Sequence, residues 1–167
     1  MTQIARQVRR TMLQPVRICL FVVASLSVAL AAPAFAKSPA GRFVTDVAAG
    51  TVHDNWWKLT WQRQKSPTMH TWSATSAPGS AQAYCAGLSL AGGGWRLPTI
   101  TELASLMDRA ESGEKLDPTA FAGEIGGYYT SSTPQVASTS LVWTIDFTSG
   151  WTFGYDMDGA TSVRCVR

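Results

Sequence analysis

The sequence predicts a single α+β domain, and three features carry that reading. Across residues 141–155 apolar and polar residues alternate on either side of Ser149-Gly150, the pattern of an antiparallel hairpin. Ser80 and Thr99 each precede a run with helical spacing, as N-caps do. Removing an N-terminal export signal of 36 residues from the 167 leaves 131, enough for one buried core.

The export signal is read from residues 1–36. Arg6, Arg9, Arg10 and Arg17 make a basic start without any acidic residue, a 15-residue apolar run covers 18–32, and Ala34-Phe35-Ala36 supplies a small-x-small cleavage site. The apolar run is shorter than the ~20 residues a membrane-spanning helix needs, so no membrane span is expected after its removal. Cys19 opens the apolar run and leaves with it. The four arginines go too, so the remaining 10 basic residues face 11 acidic ones, a net charge of −1. The basic isoelectric point therefore belongs to the signal, and nothing left suggests nucleic acid as a partner. The expected location is the periplasm or the cell surface of a bacterium.

Taken in order, residues 37–41 read as a linker and 42–167 as the domain. Residues 42–47 form a strand and 48–50 a turn. Residues 51–62 are extended, interrupted at Asp54-Asn55. Residues 65–79 are a polar loop, with Met69 and Trp72 returning to the core. A first helix covers 80–90 and stops at Gly92-Gly93-Gly94. Thr99-Ile100-Thr101-Glu102 is a capping box opening a second helix that runs to about Ala110. The stretch GGGWRLPT (92–99) lacks the lysine and following serine or threonine of a phosphate loop. It is a helix-to-helix corner, with Trp95 and Leu97 in the core beside Arg96, Pro98, Thr99 and Glu102. Residues 111–127 are a loop, 128–133 a strand, 141–148 and 151–155 a hairpin, 156–159 a turn, and 162–167 a final strand.

Candidate chemistry is sparse. Cys85 and Cys165 are the two cysteines of the domain, and an even count in an exported chain favours a disulfide over two reactive thiols. His53 and His70 are the possible imidazole bases, and neither accompanies a nucleophile motif. Asp146, Asp156 and Asp158 gather near the final hairpin, where paired carboxylates would be needed to hydrolyse sugars. Asp156-x-Asp158-Gly159 looks like the start of a calcium loop without its later ligands. Turn aspartates mostly cap backbone amides, so no catalytic residue, metal or cofactor is expected.

Three blocks in order resemble the Lcl C-terminal domain family: GTVHDNWWKLTWQRQ, YCAGLSLAGGGWRLPTITELASLMD, and the stretch from YYTSST through LVWTIDFTSGW to VRCVR. The resemblance spans about residues 43–167 and departs from the usual pattern at Trp56-Trp57-Lys58. It implies a C-type-lectin-like fold, two helices packed on a small twisted antiparallel sheet with long loops, with a disulfide from the first helix to the last strand. That fold is also related to the formylglycine-generating activators, which work through reactive cysteines and copper. Here the domain's cysteines occupy the bridge positions instead. The implied role is a non-enzymatic recognition or adhesion module for a glycan or a cell-surface protein. The alternatives are an envelope enzyme or a structural subunit of a surface assembly. The binding face is expected at residues 133–140 together with Trp143, Trp151, Tyr155, Asp156 and Asp158, unless Trp143 and Trp151 are both core.

Overall fold

The computed structural model describes residues 37–167, so the expected export signal lies outside the described residues. Six strands form two antiparallel sheets of three. The first holds β1 (Phe43–Asp46), β2 (Thr51–Asp54) and β3 (Leu59–Gln62) in that order, and the second holds β4 (Tyr128–Pro134), β5 (Leu141–Asp146) and β6 (Trp151–Asp156). Two short helices, α1 (Ala81–Gly87) and α2 (Ile100–Ser105), lie between them in sequence. The α+β class holds, with a correction: the expected single sheet is two separate ones. α2 contacts β4 and β5, while α1 packs with the corner and the chain terminus.

Residues 161–167 occupy the gap. They were expected as a strand, yet successive residues turn to different neighbours. Thr161 exchanges backbone hydrogen bonds with His70, and Ser162 donates to the Tyr128 carbonyl of β4. Val166 exchanges two bonds with Arg96, and Arg167 exchanges two with Thr60 of β3. No single ladder runs the length of the segment, because successive residues bond to different elements.

Both helices are shorter than their periodicity predicts. α1 begins where Ser80 Oγ accepts the Ala83 amide at 3.2 Å, and it ends at Gly87. Leu90–Gly92 then forms a 3-10 turn in which Gly92 and Gly93 take φ of 93° and 80°, left-handed values open to glycine at little steric cost. α2 opens with the predicted capping box, Thr99 Oγ1 accepting the Glu102 amide and Glu102 accepting the Thr99 amide. It ends at Ser105 because other partners take the groups that would continue it. Arg42 donates to the Ser105 carbonyl, and the Asp108 carboxylate accepts the Ala110 amide.

The main core lies between α2 and the sheets. Trp61, Val52, Leu103, Leu106, Leu116, Phe121, Tyr129, Ile145 and Phe147 are all buried there. A second cluster gathers Ala81, Trp95, Leu97 and Val163 around the bonded sulfurs of Cys85 and Cys165, whose Cα atoms are 5.5 Å apart. Trp95 and Leu97 are core, as expected. Trp72 also packs against this cluster. Met69 does not return to the core, being 66% exposed.

Three arginines bind the pieces. Arg42 donates two bonds to Asp54 Oδ2, at 3.1 and 2.7 Å, with both side chains buried. Burial pushes the Asp54 carboxyl up, but Arg42 and the amides of Trp56 and Trp57 outweigh it and hold the carboxyl below the usual range. Arg164 is fully buried, donates to the carbonyls of Gln62 and Arg63, and stacks its guanidinium on Phe121 at 4.7 Å and Tyr129 at 5.6 Å. Arg96 forks onto both Glu102 oxygens at 2.8 and 2.6 Å. That fork, opposed by burial and aided by Thr99, lowers the Glu102 carboxyl to about 2.

Two predictions follow from these ties. The disulfide joins residues 80 apart in sequence. Cys85→Ala with Cys165→Ala should lower unfolding free energy by about 4 kcal/mol, read as a drop in the guanidinium midpoint. Glu102 is charged at a lower pH when folded than the 4.5 usual for the free side chain. Its contribution is therefore present above that value and lost as pH falls toward about 2. Glu102→Gln should flatten the acid limb of the stability profile over that window, measured by urea unfolding at several pH values.

Candidate functional site

The final hairpin decides which expected site residues can act together. Directly opposed residues of an antiparallel pair share a face of the sheet. Asp146 opposes both Tyr128 and Trp151, Thr144 opposes both Thr130 and Phe153, and Val142 opposes Tyr155. Tyr128, Trp151, Phe153 and Tyr155 therefore project from one face. Trp143 opposes Gly154 and Leu141 opposes Asp156, so these project from the other. The five-residue set expected as one face is divided: Trp151 and Tyr155 lie together, whereas Trp143 and Asp156 do not join them.

The loop 133–140 goes with Trp143. Gln135 lies so close over Gly154 that a Cβ there would meet its side-chain amide. Trp143 is half-buried on this side, and Trp151 on the other is 72% exposed. The two tryptophans are thus not both core.

On the ring face the aromatic side chains form a cluster. Tyr128 meets Phe153 edge-on at 5.2 Å and Tyr155 at 5.6 Å, and Phe153 meets Tyr155 at 6.2 Å. Such edge-to-face contacts fix ring orientations. Tyr128 remains 46% exposed. Gly159 lets Tyr155 lie against the turn after β6, since any Cβ there would clash with the ring. Beside the cluster opens a cleft of about 480 Å³, whose walls include Tyr128, Tyr155, Glu114, Glu124, Lys65 and Thr161. A second cleft of about 470 Å³, between Val47, Arg63 and Leu90, has no aromatic wall.

Asp146 and Asp156 stand at opposite ends of the β5–β6 pair. Asp146 accepts the Thr148 amide at 2.8 Å and the Ser149 hydroxyl at 2.6 Å, closing the turn. Burial raises its carboxyl, and these bonds lower it further than burial lifts it. Asp156 Oδ1 accepts the Asp158 amide at 3.0 Å. Asp156 opposes Leu141, five positions along β5 from Asp146. Strand rise separates them by roughly 17 Å, beyond the ~5–9.5 Å used by carboxylate pairs in glycoside hydrolysis. The clustering expected from sequence is therefore corrected. Among the described residues no group of three or more His, Cys, Asp or Glu side chains is placed to hold a metal ion.

The histidines are hydrogen-bonded side chains. His70 Nδ1 lies 2.9 Å from the Gly79 carbonyl, to which it donates, and Nε2 lies 3.3 Å from the Thr68 hydroxyl. Its ring also packs on Tyr84 at 4.7 Å. His53 Nδ1 lies 3.3 Å from the Thr60 hydroxyl.

The corner residues have a different task. Arg96 presents its backbone to Val166, Trp95 Nε1 donates to the Leu90 carbonyl at 2.7 Å, and the Trp95 ring lies under Arg167 at 5.0 Å. The Arg167 guanidinium continues to the carbonyls of Ala91 and Gly93. The corner receives the chain terminus. The Lcl C-terminal domain family model matches residues 50–167, a span that includes this corner, the cysteine helix before it and the terminal segment it holds. The chain belongs to this family. No curated protein and no solved structure matches it. Within this Lcl C-terminal domain no helix among the described residues is long and apolar enough to cross a membrane.

Sequence reasoning missed Tyr128, Phe153, Glu114 and Glu124. Tyr128 and Phe153 stand at alternating strand positions, but only the register of β4 against β5 places them together. The two glutamates lie in a loop whose path no periodicity reports.

The exposure of these rings can be checked without a ligand. Trp151→Phe should change stability by less than about 0.5 kcal/mol yet lower the acrylamide-quenchable emission, leaving the share from exposed Trp56 and Trp57. Trp61→Ala, in the core, should cost about 3–5 kcal/mol in the same denaturation assay.

Proposed function

We propose that this Lcl C-terminal domain is an exported, non-enzymatic recognition module that binds a glycan through the face bearing Tyr128, Trp151 and Tyr155. The observation that carries the reading is the three-ring cluster of Tyr128, Phe153 and Tyr155 at the 480 Å³ cleft, with Trp151 exposed further along the same sheet face. Flat rings stack on the apolar faces of sugars, while hydroxyls and carboxylates at the cleft edge accept from sugar hydroxyl groups. Two small antiparallel sheets, and a bridge from α1 to the terminal segment, support the further reading of a C-type-lectin-like architecture. Export, with removal of residues 1–36, is supported by the disulfide, which forms and persists in oxidising compartments.

The enzyme reading finds less support. Both cysteines of the described residues are spent in one bond, so a thiol mechanism would have to open the core cluster around it. Titration of the unfolded, unreduced protein should find no thiol among residues 37–167; two would favour the enzyme. A protein ligand is favoured by a separate observation. Trp56 and Trp57 are exposed in the turn between β2 and β3, and tryptophan is a common anchor of protein interfaces.

A glycan panel separates these readings. Trp151→Ala with Tyr155→Ala should reduce glycan binding at least tenfold, about 1.4 kcal/mol or more, with an unchanged circular dichroism spectrum. Trp56→Ala with Trp57→Ala should leave glycan binding unchanged. Loss with the second pair alone would transfer the glycan site to the β2–β3 turn, whereas binding of no glycan by the unaltered domain would favour a protein ligand.

A further inference from the structure

Charge around the cleft is not balanced. Lys65 Nζ lies 3.2 Å from Glu124 Oε2, so these two offset one another. Glu114, on the same cleft, has no cationic partner among the described residues. Gly126 is what allows it to lie there. A Cβ at that position would collide with Glu114 Oε1 and with Thr148 Oγ1, so the carboxylate occupies the space a side chain would take. Thr148 Oγ1 is itself held by the Gly127 amide at 2.9 Å.

The same cleft is walled by Tyr128 and Tyr155. Tyrosine ring faces attract cations as well as sugar C–H groups. One unoffset carboxylate beside two tyrosine rings in about 480 Å³ makes a site for a sugar that carries a positive charge.

We infer that the glycan taken by this cleft is an amino sugar with a free, protonated amine, its ammonium paired with Glu114 and its ring against Tyr128 and Tyr155. The assignment rests on the glycan reading above and adds the chemical class of the sugar. Lys65 limits the attraction, because it neutralises the other carboxylate.

The test uses oligosaccharides of glucosamine and their fully N-acetylated counterparts of equal length, with the full domain, by titration calorimetry below the pKa of the amine. The free amine should bind about tenfold more tightly, and its affinity should fall as salt is raised. Glu114→Gln should abolish that preference while changing the acetylated sugar's affinity less than twofold. Gly126→Ala, which displaces the Glu114 carboxylate without removing it, should act the same way. Lys65→Met should strengthen binding of the amine, and this gain of affinity guards against misreading a misfolded loss variant. Equal binding of the two oligosaccharides, with the preference unmoved by Glu114→Gln, overturns the inference and leaves the glycan reading standing. If neither sugar binds but a lysine oligopeptide does, through Glu114, the amino-sugar assignment and the glycan reading fall together.

Discussion

Residues 161–167 supply hydrogen bonds that neither sheet could make for itself. Ser162 is tied to β4 of the second sheet, Arg167 to β3 of the first, and Val166 to the corner at Arg96. Each sheet has only three short strands, and an isolated small sheet has little apolar area to hold it. Shared through one segment, they enclose a common core in which Trp61 and Val166 from one side meet Tyr129 and Ile145 from the other. The disulfide holds the segment against α1 at its centre, leaving the residues on either side to find their partners.

Arg164 shows what this arrangement costs. A fully buried guanidinium would ordinarily be paired with a carboxylate, yet it meets two backbone carbonyls and two ring faces. Burial lowers its pKa, with Tyr129 acting in the opposite sense. Arginine keeps its proton under such conditions more readily than lysine because its charge is spread over a plane. The same plane can stack on Phe121 while its edge reaches carbonyls at the end of β3, a combination an ammonium could not offer. The buried charge thus orients the terminal segment as well as filling the core.

Much of the local structure was legible because it is set by neighbours in sequence. The capping box of Thr99 and Glu102, the Ser80 cap and the 141–155 alternation each need only a few consecutive residues, and each appears where expected. What the sequence did not reveal depends on partners far along the chain. α2 stops at Ser105 because Arg42, 63 residues earlier, takes its last carbonyl. Residues 162–167 have strand-like composition, but their partners come from β4, the Ser66 loop, the Arg96 corner and β3 in turn, so no one ladder spans the segment. For the candidate site, Trp151 and Tyr155 were recognisable as alternating hairpin positions. The addition of Tyr128 and the exclusion of Trp143 required the β4–β5–β6 register. Met69 reads as core by hydropathy and lies exposed on the cleft wall, since the chain just after it is fixed by the bonds of His70 to Thr161 and of Trp72 to Met157.

The placement of the terminal segment also governs the order in which the domain can mature. The first sheet is made of residues 43–62, which leave the ribosome early, but the hydrogen bonds along its β3 edge come from Cys165 and Arg167. Until residues 165–167 have been synthesised, that edge stays open and Trp61 lacks the Val166 neighbour that helps cover it. Contacts of such long range form slowly. The first sheet therefore waits on residues about a hundred positions further along the chain, and losing those residues would leave an unsealed strand edge able to pair with other chains.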